Sequence, residues 1–289
     1  MTLPSVTIVG PGRMGLALAS ALVHTEAVRD LTIFGRRPEP PSHPLFIQGR
    51  ARYVFGVEPL PLESSALFLA VPDAIVPEMA HTVAAQGRAP TGSAAFHLSA
   101  SLPTEVLAPL HRQGYALGSF HPLQVVTHPI RDADRIPGSY VAVIGAPEAV
   151  AVARRLTSAM SCPLLEVPAT RRPLFHAATV LASSYLPPLL DLSARLMERA
   201  GVSSDEALPA LLPLVNGALQ SISEWGAGAS VGGPIAAGDV ETVALHLRAM
   251  DPEDRRLYAA FGIELVRLVG ERLDEVPRRA LIEELERNR

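Results

Sequence analysis

The most informative segment near the start of the chain is Val6-Thr7-Ile8-Val9-Gly10-Pro11-Gly12-Arg13-Met14-Gly15, a short β-branched run that ends in a Gly-x-Gly-x-x-Gly pattern. It continues directly into Leu16-Ala17-Leu18-Ala19-Ser20-Ala21-Leu22, which favours a helix. A strand, a glycine turn and a helix in this order predict a dinucleotide-binding unit. Gly10 would permit the tight turn, Gly12 would let the backbone approach a pyrophosphate, and Gly15 would let the helix pack closely on the strand. The phosphates would then lie on unpaired N–H groups at the positive end of the helix.

The end of the second predicted strand indicates which dinucleotide binds. This strand, Leu31-Thr32-Ile33-Phe34, is followed by Gly35-Arg36-Arg37, and the first carboxylate after it is Glu39. Sites for NAD usually place an acidic side chain here to bind the ribose 2′-OH, whereas guanidinium groups bind a 2′-phosphate. We therefore expect NADP; the alternative is that both arginines are solvated surface charge. The residues expected to line the cofactor are Gly10, Pro11, Gly12, Arg13, Met14, Gly15, Arg36, Arg37, Ala70, Val71, Pro72 and Asp73.

Composition limits the classes of partner and mechanism. The chain has 289 residues, 48% of them hydrophobic, and its net charge of −4 gives no reason to expect nucleic acid or an anionic membrane as a partner. The single cysteine, Cys162, fits a reducing compartment, so we expect a cytoplasmic protein. No His, Cys and carboxylate residues occur at metal-ligand spacing, so no metal is expected. All 25 basic residues are arginine, which excludes any mechanism that needs a catalytic lysine.

Strands and helices alternate in the first half of the chain, which predicts an α/β fold with a doubly wound parallel sheet. The helices expected between the strands lie near residues 77–85, 103–112 and 147–160. The strands expected after the first two are Arg52-Tyr53-Val54-Phe55, residues 66–71, 94–98, 116–120 and 140–144, and a last short strand at 164–167.

From Ala169 onwards the pattern is helical, so we expect a Rossmann domain at 1–168 and a helical domain at 169–289. The segment Phe175–Ala200 is apolar on all sides and predicts one central buried helix. Further helices are expected to begin at the capping box Ser203-Ser204-Asp205-Glu206, at Asp239 and at Asp251, and Gly270 is expected to end the third of these.

A Rossmann domain followed by a helical domain resembles the superfamily of 6-phosphogluconate dehydrogenase, hydroxyacid dehydrogenases, pyrroline-5-carboxylate reductase and ketopantoate reductase. More narrowly, the chain resembles a bacterial family with a Rossmann-like NADP domain and a helical C-terminal domain of unknown function, some members of which are proposed to act as an alternative ketopantoate reductase. The segments that carry the resemblance are Ala70-Val71-Pro72-Asp73, His97-Leu98-Ser99, Phe120-His121-Pro122-Leu123-Gln124, Leu174-Phe175-His176-Ala177-Ala178, Ala182-Ser183-Ser184-Tyr185 and Gly233-Pro234-Ile235-Ala236-Ala237-Gly238-Asp239.

Three predicted strand ends are candidates for the neighbourhood of the nicotinamide, because ligands of open α/β sheets bind at the carboxyl ends of the strands. Asp73 is expected to cap the following helix and to line the cofactor. His97 and Ser99 are catalytic candidates that would help to position the substrate. The alternative for His97 is a hydrogen-bonded structural residue, and the alternative for Ser99 is an ordinary loop hydroxyl. For His121, which precedes proline, a structural turn is the main interpretation.

His176 is the candidate proton donor, because related dehydrogenases direct a proton-handling side chain from this helix towards the nicotinamide. Ser184 lies two helical turns further on, so it would share the face of His176 and is also a catalytic candidate. The chain departs from its relatives at two positions here. Relatives typically have asparagine at the position of Ser184, and lysine is common at the position of Arg172. A buried histidine bonded to a carbonyl is the alternative for His176.

The leading hypothesis is an NADP-dependent oxidoreductase that transfers a hydride to a small carbonyl compound or imine between the two domains. A 2-oxo acid similar to ketopantoate is the first substrate expected, and a cyclic imine is the second. The alternatives are a non-catalytic NADP-binding sensor or partner protein and a deazaflavin-dependent NADP reductase. Relatives of this architecture often pair through the helical domain, so a homodimer is expected.

Overall fold

The structure is a computed structural model that describes residues 3–56 and 64–289. The chain divides into two compact units, Met1–Ser183 and Ser184–Arg289. The helix that follows residue 168 therefore belongs to the same unit as the sheet. No helix in the described part of the chain combines the length and apolar character that a membrane span requires.

The first unit contains one eight-stranded sheet with the strand order β3-β2-β1-β4-β5-β6-β7-β8. Each predicted strand is confirmed. Their bounds are Leu3–Val9 (β1), Val28–Gly35 (β2), Arg52–Phe55 (β3), Ala66–Leu69 (β4), Ala94–His97 (β5), Ala116–Pro122 (β6), Val141–Gly145 (β7) and Leu164–Glu166 (β8).

The sheet is parallel, as expected, except at one position. Strand β7 pairs antiparallel with β6, whereas the other neighbouring strands pair in parallel. A parallel neighbour needs a crossover connection, which is usually an α-helix. The β6–β7 segment, all of it described, contains one short 3-10 helix, Ala133–Arg135, so β7 runs back beside β6.

Helices cover both faces of the sheet, as the alternation of buried side chains along the strands requires. Ile8 and Phe68 belong to one hydrophobic core, which includes Leu18 and Leu156 from the covering helices. Val9 and its neighbours on the opposite face belong to a second core. The helices of this unit are Arg13–His24 (α1), Pro44–Ile47 (α2), Val76–Ala84 (α3), Ala108–His111 (α4), Pro147–Ala159 (α5) and Arg172–Ser183 (α6).

The second unit is helical and has its own core. Ile263 and Leu281 are among the side chains that build this core, which lies among the last four helices of the unit. The expected helix starts after Ser203, Asp239 and Asp251 and the helix end at Gly270 are confirmed. The helices are Leu186–Arg199 (α7), Ser204–Ala229 (α8), Gly233–Ala236 (α9), Val240–Ala249 (α10), Pro252–Val269 (α11) and Glu275–Glu286 (α12).

The single buried helix expected over Phe175–Ala200 is wrong. The helix breaks after Ser183, and a new one begins at Leu186 with Pro187 and Pro188 in its first turn. Proline is tolerated there because the first N–H groups of a helix have no intrahelical acceptor, whereas inside a continuous helix it would remove a bond. Most side chains of both helices are exposed or half-buried.

Candidate functional site

Two glycines of the turn between β1 and α1 are required by the packing of the backbone. Gly10 has a φ of +111°, and a Cβ atom there would lie 2.5 Å from the carbonyl oxygen of Ala70. A Cβ atom at Gly15 would overlap the carbonyl oxygen of Gly10. The roles predicted for these two residues, a tight turn and close packing of the helix on the strand, are therefore confirmed.

Gly12 differs from both because a Cβ atom there would make only an ordinary van der Waals contact. The nearest atom to a Cβ built at Gly12 is the carbonyl oxygen of Ala70, 3.8 Å away. Gly12 is the N-cap of α1, so no side chain caps the helix, and the first turn holds no acidic residue. Pro11 and Met14 are half-buried beside it, and Arg13 is exposed. The first N–H groups of α1 thus lack a side-chain acceptor, which suits them to bind an anion.

The end of β2 leaves the two predicted phosphate ligands exposed. Arg36 and Arg37 both follow Gly35 and face solvent. The Tyr53 hydroxyl donates a hydrogen bond of 2.8 Å to the carbonyl oxygen of Arg37, which ties this segment to β3. A side chain at Gly35 would overlap the ring of Tyr53. The backbone of the pair is therefore held in place while its guanidinium groups remain available.

The end of β4 connects the glycine turn with the end of β5. The N–H of Ala70 donates to the carbonyl oxygen of Val9 on β1. Three residues on, the Asp73 carboxylate accepts hydrogen bonds from the hydroxyls of Ser99 at 2.7 Å and Ser101 at 2.9 Å. The segment Ala70-Val71-Pro72-Asp73 thus lies between the predicted phosphate site and the β5 end.

Asp73 does not cap a helix, which corrects the predicted role. Pro72 holds the N-cap position of the short 3-10 helix that Asp73 begins, and no side-chain cap is formed there. The Asp73 carboxylate instead binds Ser99, whose oxygen also accepts from the N–H groups of Ser101 and Leu102. The Ser99 hydroxyl therefore donates its proton to a carboxylate and orders the loop after β5.

His97, the last residue of β5, is fully buried. Neither ring nitrogen of His97 has a well-formed hydrogen bond in the described part of the chain. The backbones of Ser99 and Pro103 nevertheless lie near enough to favour the protonated form of the ring. Burial, reinforced by the positive charge of Arg172, lowers the pKa of His97 to about 4, against the opposing effect of Asp73. His97 is thus a neutral imidazole at physiological pH, able to donate or accept a hydrogen bond but not to carry charge.

His121, near the end of β6, and His176, on α6, lie within electrostatic range of one another. The Nδ1 atom of His121 is 3.0 Å from the carbonyl oxygen of Leu98. Burial lowers the pKa of His121, and the neighbouring His176 lowers it further, while Asp73 opposes both effects. His176 lies in the second turn of α6 and is half-buried. Hydrogen bonds and electrostatic effects thus link Asp73, His97, Ser99 and His121 at the strand ends, and His176 acts on His121 through its charge.

Sequence reasoning missed two members of this cluster. Ser101 shares the Asp73 carboxylate with Ser99, and the repeat of serine two residues apart was the available signal. Arg172 is 5% exposed and lies close enough to His97 to lower its pKa. No sequence signal shows that this arginine is buried while its neighbour Arg171 is exposed.

Ser184 lies outside α6. This helix ends at Ser183, whose hydroxyl donates to the carbonyl oxygen of Thr179. Ser184 is exposed, and the argument that it shares a helix face with His176 does not apply, because the helix does not continue. Its catalytic role stays a prediction that rests on the resemblance. Among the residues that the structure describes, no three His, Cys, Asp or Glu side chains are placed to hold a metal ion.

The stability of the protein is expected to fall as the pH drops from about 6.5 to about 4. Folded His97 stays neutral down to a pKa of about 4, whereas the unfolded side chain takes up a proton near 6.5. Between these values the unfolded state binds more protons, so acidification lowers the free energy of unfolding, by at most about 3 kcal/mol. Urea unfolding at several pH values should show a smaller pH dependence for His97→Gln than for wild type. His81→Gln, at an exposed position, is the control; equal slopes for wild type and His97→Gln would contradict the assignment.

Two family models match parts of the chain. Residues 51–122 match a Rossmann-like domain, and residues 139–264 match a domain of unknown function, DUF2520. No curated protein matches the chain.

Solved structures share the fold over nearly the whole chain. Protein TM1727 from Thermotoga maritima is 19% identical, with a TM-score of 0.70, over 91% of this chain and 97% of that one. The pyrroline carboxylate reductase of Plasmodium falciparum, solved with NADP bound, is 12% identical, with a TM-score of 0.61, over 98% and 99% of the two chains. The reductive aminase of Aspergillus terreus, in complex with NADPH and ethyl-5-oxohexanoate, is 17% identical, with a TM-score of 0.56, over 99% and 93%. The chain therefore combines a Rossmann-like domain with a DUF2520 domain, on a fold that it shares with these reductases.

Proposed function

We propose that the protein is an NADP-dependent oxidoreductase that reduces a small carbonyl compound or imine. The observation that carries this proposal is that the fold leaves room for a side chain at Gly12, at the N-terminus of α1, which no side chain caps. The protein's own backbone leaves no room for a side chain at Gly10 or Gly15, whereas it does leave room at Gly12. A glycine that the fold does not need is explained if a pyrophosphate approaches the backbone there. Two structural neighbours were solved with NADP or NADPH bound, which supports the same cofactor here.

The preference for NADP over NAD is attributed to Arg36 and Arg37. Replacing both by alanine is expected to weaken NADPH binding about 10–100-fold, since each charge-assisted hydrogen bond to a phosphate contributes about 1.5–3 kcal/mol before solvent screening. The affinity for NADH, which lacks the 2′-phosphate, should change less than twofold. Fluorescence titration of both nucleotides measures this, with Arg29→Ala, at the opposite end of β2, as the control. A double variant that still prefers NADPH as strongly as wild type would refute the role of the pair.

NADPH, when bound, supplies the hydride, and the protein must supply a proton to the reduced oxygen or nitrogen. We assign this proton to His176, which is half-buried on α6 beside His121. Neutral His97 is suited to hold a substrate by a hydrogen bond rather than to release a proton. Ser99 keeps the loop after β5 in place through its bond to Asp73. This division of roles keeps His97 and Ser99 as positioning residues and His176 as the proton donor.

The substrate class is tested by mixing NADPH and protein rapidly with 2-oxo acids and with cyclic imines, following the nicotinamide absorbance. The 2-oxo acids are the first choice, and imines are the second, in keeping with the pyrroline carboxylate reductase and reductive aminase among the structural neighbours. Oxidation of NADPH by one class identifies it. Tight NADPH binding without oxidation by any compound would instead favour a non-catalytic NADP-binding sensor.

We also propose that the protein forms a homodimer through its helical unit. Helix α8 exposes large apolar side chains, including Leu214 and Trp225, each 71% exposed. Exposed apolar surface of this kind typically marks an interaction site. Light scattering is expected to give twice the chain mass of 30.7 kDa. Trp225→Glu should shift the mass towards the monomer, whereas Ile47→Glu, at an exposed position of the first unit, should not. A wild-type monomer at micromolar concentration would contradict the proposal.

A further inference from the structure

Unsatisfied polar atoms are concentrated at one place beside the β5 end. Five enclosed side-chain nitrogens in the described part of the chain have no hydrogen-bond partner, and three of them belong to His97 and Arg172. Enclosed polar atoms are normally paired, because leaving them unpaired costs free energy. Both side chains are buried, and the positive charge of Arg172 lowers the pKa of His97, so they lie within electrostatic range of one another. The enclosed nitrogen of Arg172 and the ring N–H of His97 therefore lack a well-formed hydrogen bond to an acceptor.

The missing partner has to be an anion, because Arg172 is a buried cation without a counter-charge. Arg172 is 5% exposed, and no carboxylate in the described residues forms an ion pair with it. Burial lowers its pKa, and Glu105, the acid that opposes this effect, is itself exposed to solvent. A guanidinium remains charged even so, and an uncompensated buried charge is strongly destabilising.

We propose that Arg172 and His97 together bind the carboxylate group of the substrate. This inference rests on the proposed reductase function and narrows its substrate to compounds that carry a carboxylate. The planar guanidinium donates two hydrogen bonds in the geometry that a carboxylate accepts. One N–H of the neutral His97 ring is available for a further bond to the same group. The nearby negative charge of Asp73 is dispersed over the hydroxyl donors Ser99 and Ser101, which reduces its repulsion of the ligand.

The phosphates of the cofactor are the other possible source of the anion, and the strand order argues against them. Strand β5, which ends at His97, is separated from β1 by β4. Two strand spacings correspond to about 10 Å between the glycine turn and the β5 end. This separation from Gly12 favours a group of the substrate over the pyrophosphate as the anion at the β5 end.

The test uses the full chain saturated with NADPH and two small probes, oxamate and oxamide. Oxamate mimics a 2-oxo acid and carries one carboxylate, and oxamide replaces that group by a neutral amide. Calorimetry is expected to show that Arg172→Met weakens oxamate binding at least about 30-fold, the loss typical of a buried charge-assisted hydrogen bond. NADPH affinity should stay within twofold of wild type, and oxamide should not distinguish the two proteins. Arg171→Met, at the exposed neighbouring position, is the matched control and should bind oxamate like wild type.

Thermal unfolding of the ligand-free protein separates this role from a structural one. Removing an unpaired buried charge should leave the melting temperature of Arg172→Met equal to or above that of wild type. An unfolded or destabilised Arg172→Met variant would overturn the proposal, because it would show that the arginine stabilises the fold. Unchanged oxamate affinity in the variant, or no oxamate binding to a wild-type protein that binds NADPH, would overturn it as well. If Arg172→Met weakened NADPH binding, the anion bound by Arg172 would be a phosphate of the cofactor and the proposal would be overturned. If the wild-type protein bound no NADPH, the reductase function itself would be refuted.

Discussion

Replacing His176 by alanine is expected to lower kcat by about 10²–10⁴-fold, the contribution typical of a positioned general acid. The hydride of NADPH arrives without a proton, so the reduced oxygen or nitrogen must take one from a nearby group. His97 is unsuited to this task because its pKa of about 4 leaves it without a proton to release at neutral pH. His121 is already bonded to the carbonyl oxygen of Leu98. Half-buried His176, within electrostatic range of His121, is the remaining histidine of the cluster.

The His176 variant should keep its affinity for NADPH, since the predicted phosphate ligands lie at the glycine turn and the end of β2. Steady-state kinetics with the best substrate from the rapid-mixing experiment would show a loss in kcat with KM nearly unchanged. His176→Gln tests whether hydrogen bonding alone suffices, and His81→Ala controls for loss of a surface histidine. Turnover by His176→Ala within threefold of wild type would remove His176 from the mechanism.

The second large effect is expected from the three glycines of the turn, which should divide into two classes. Alanine at Gly10 combines a φ of +111° with a Cβ atom 2.5 Å from the Ala70 oxygen, and alanine at Gly15 overlaps the backbone of Gly10. Each should lower the free energy of unfolding by about 2–4 kcal/mol, from overpacking with added backbone strain at Gly10. Gly12→Ala meets no atom closer than 3.8 Å and should lower the free energy of unfolding by only about 1 kcal/mol, the typical cost of alanine at an N-cap.

Gly12→Ala should instead weaken NADPH binding at least about 30-fold, because its methyl group would occupy the space in which phosphate approaches the helix N–H groups. Thermal unfolding without ligand and NADPH titration together separate the two classes. Gly217→Ala, in a helix with open space around the position, is the control and should be neutral or slightly stabilising. If Gly12→Ala bound NADPH like wild type, the observation that carries the proposed function would be lost.

The predictable part of this protein consists of features formed by residues close together in the chain. The eight strands, the turn at Gly10–Gly15 and the helix starts at Asp239 and Asp251 depend on β-branched runs, glycine conformations and capping side chains. Each of these is a contact or a conformational preference within about ten residues. The break between α6 and α7 was also readable in principle, since Pro187 and Pro188 mark a first turn, but the apolar composition of Phe175–Ala200 outweighed that signal.

Other features depend on segments that are distant in sequence and were decided by folding. The reversed direction of β7 follows from the path of a connection without a crossover helix. The carboxylate of Asp73 binds Ser99 and Ser101, 26 and 28 residues away, rather than its own helix. His97, at the end of β5, and Arg172, at the start of α6, are both buried and lie within electrostatic range of one another although they are far apart in sequence. Burial and electrostatic interactions of this kind form between segments that are distant in the chain. The local sequence therefore shows which polar side chains are present, but not which of them become buried near one another.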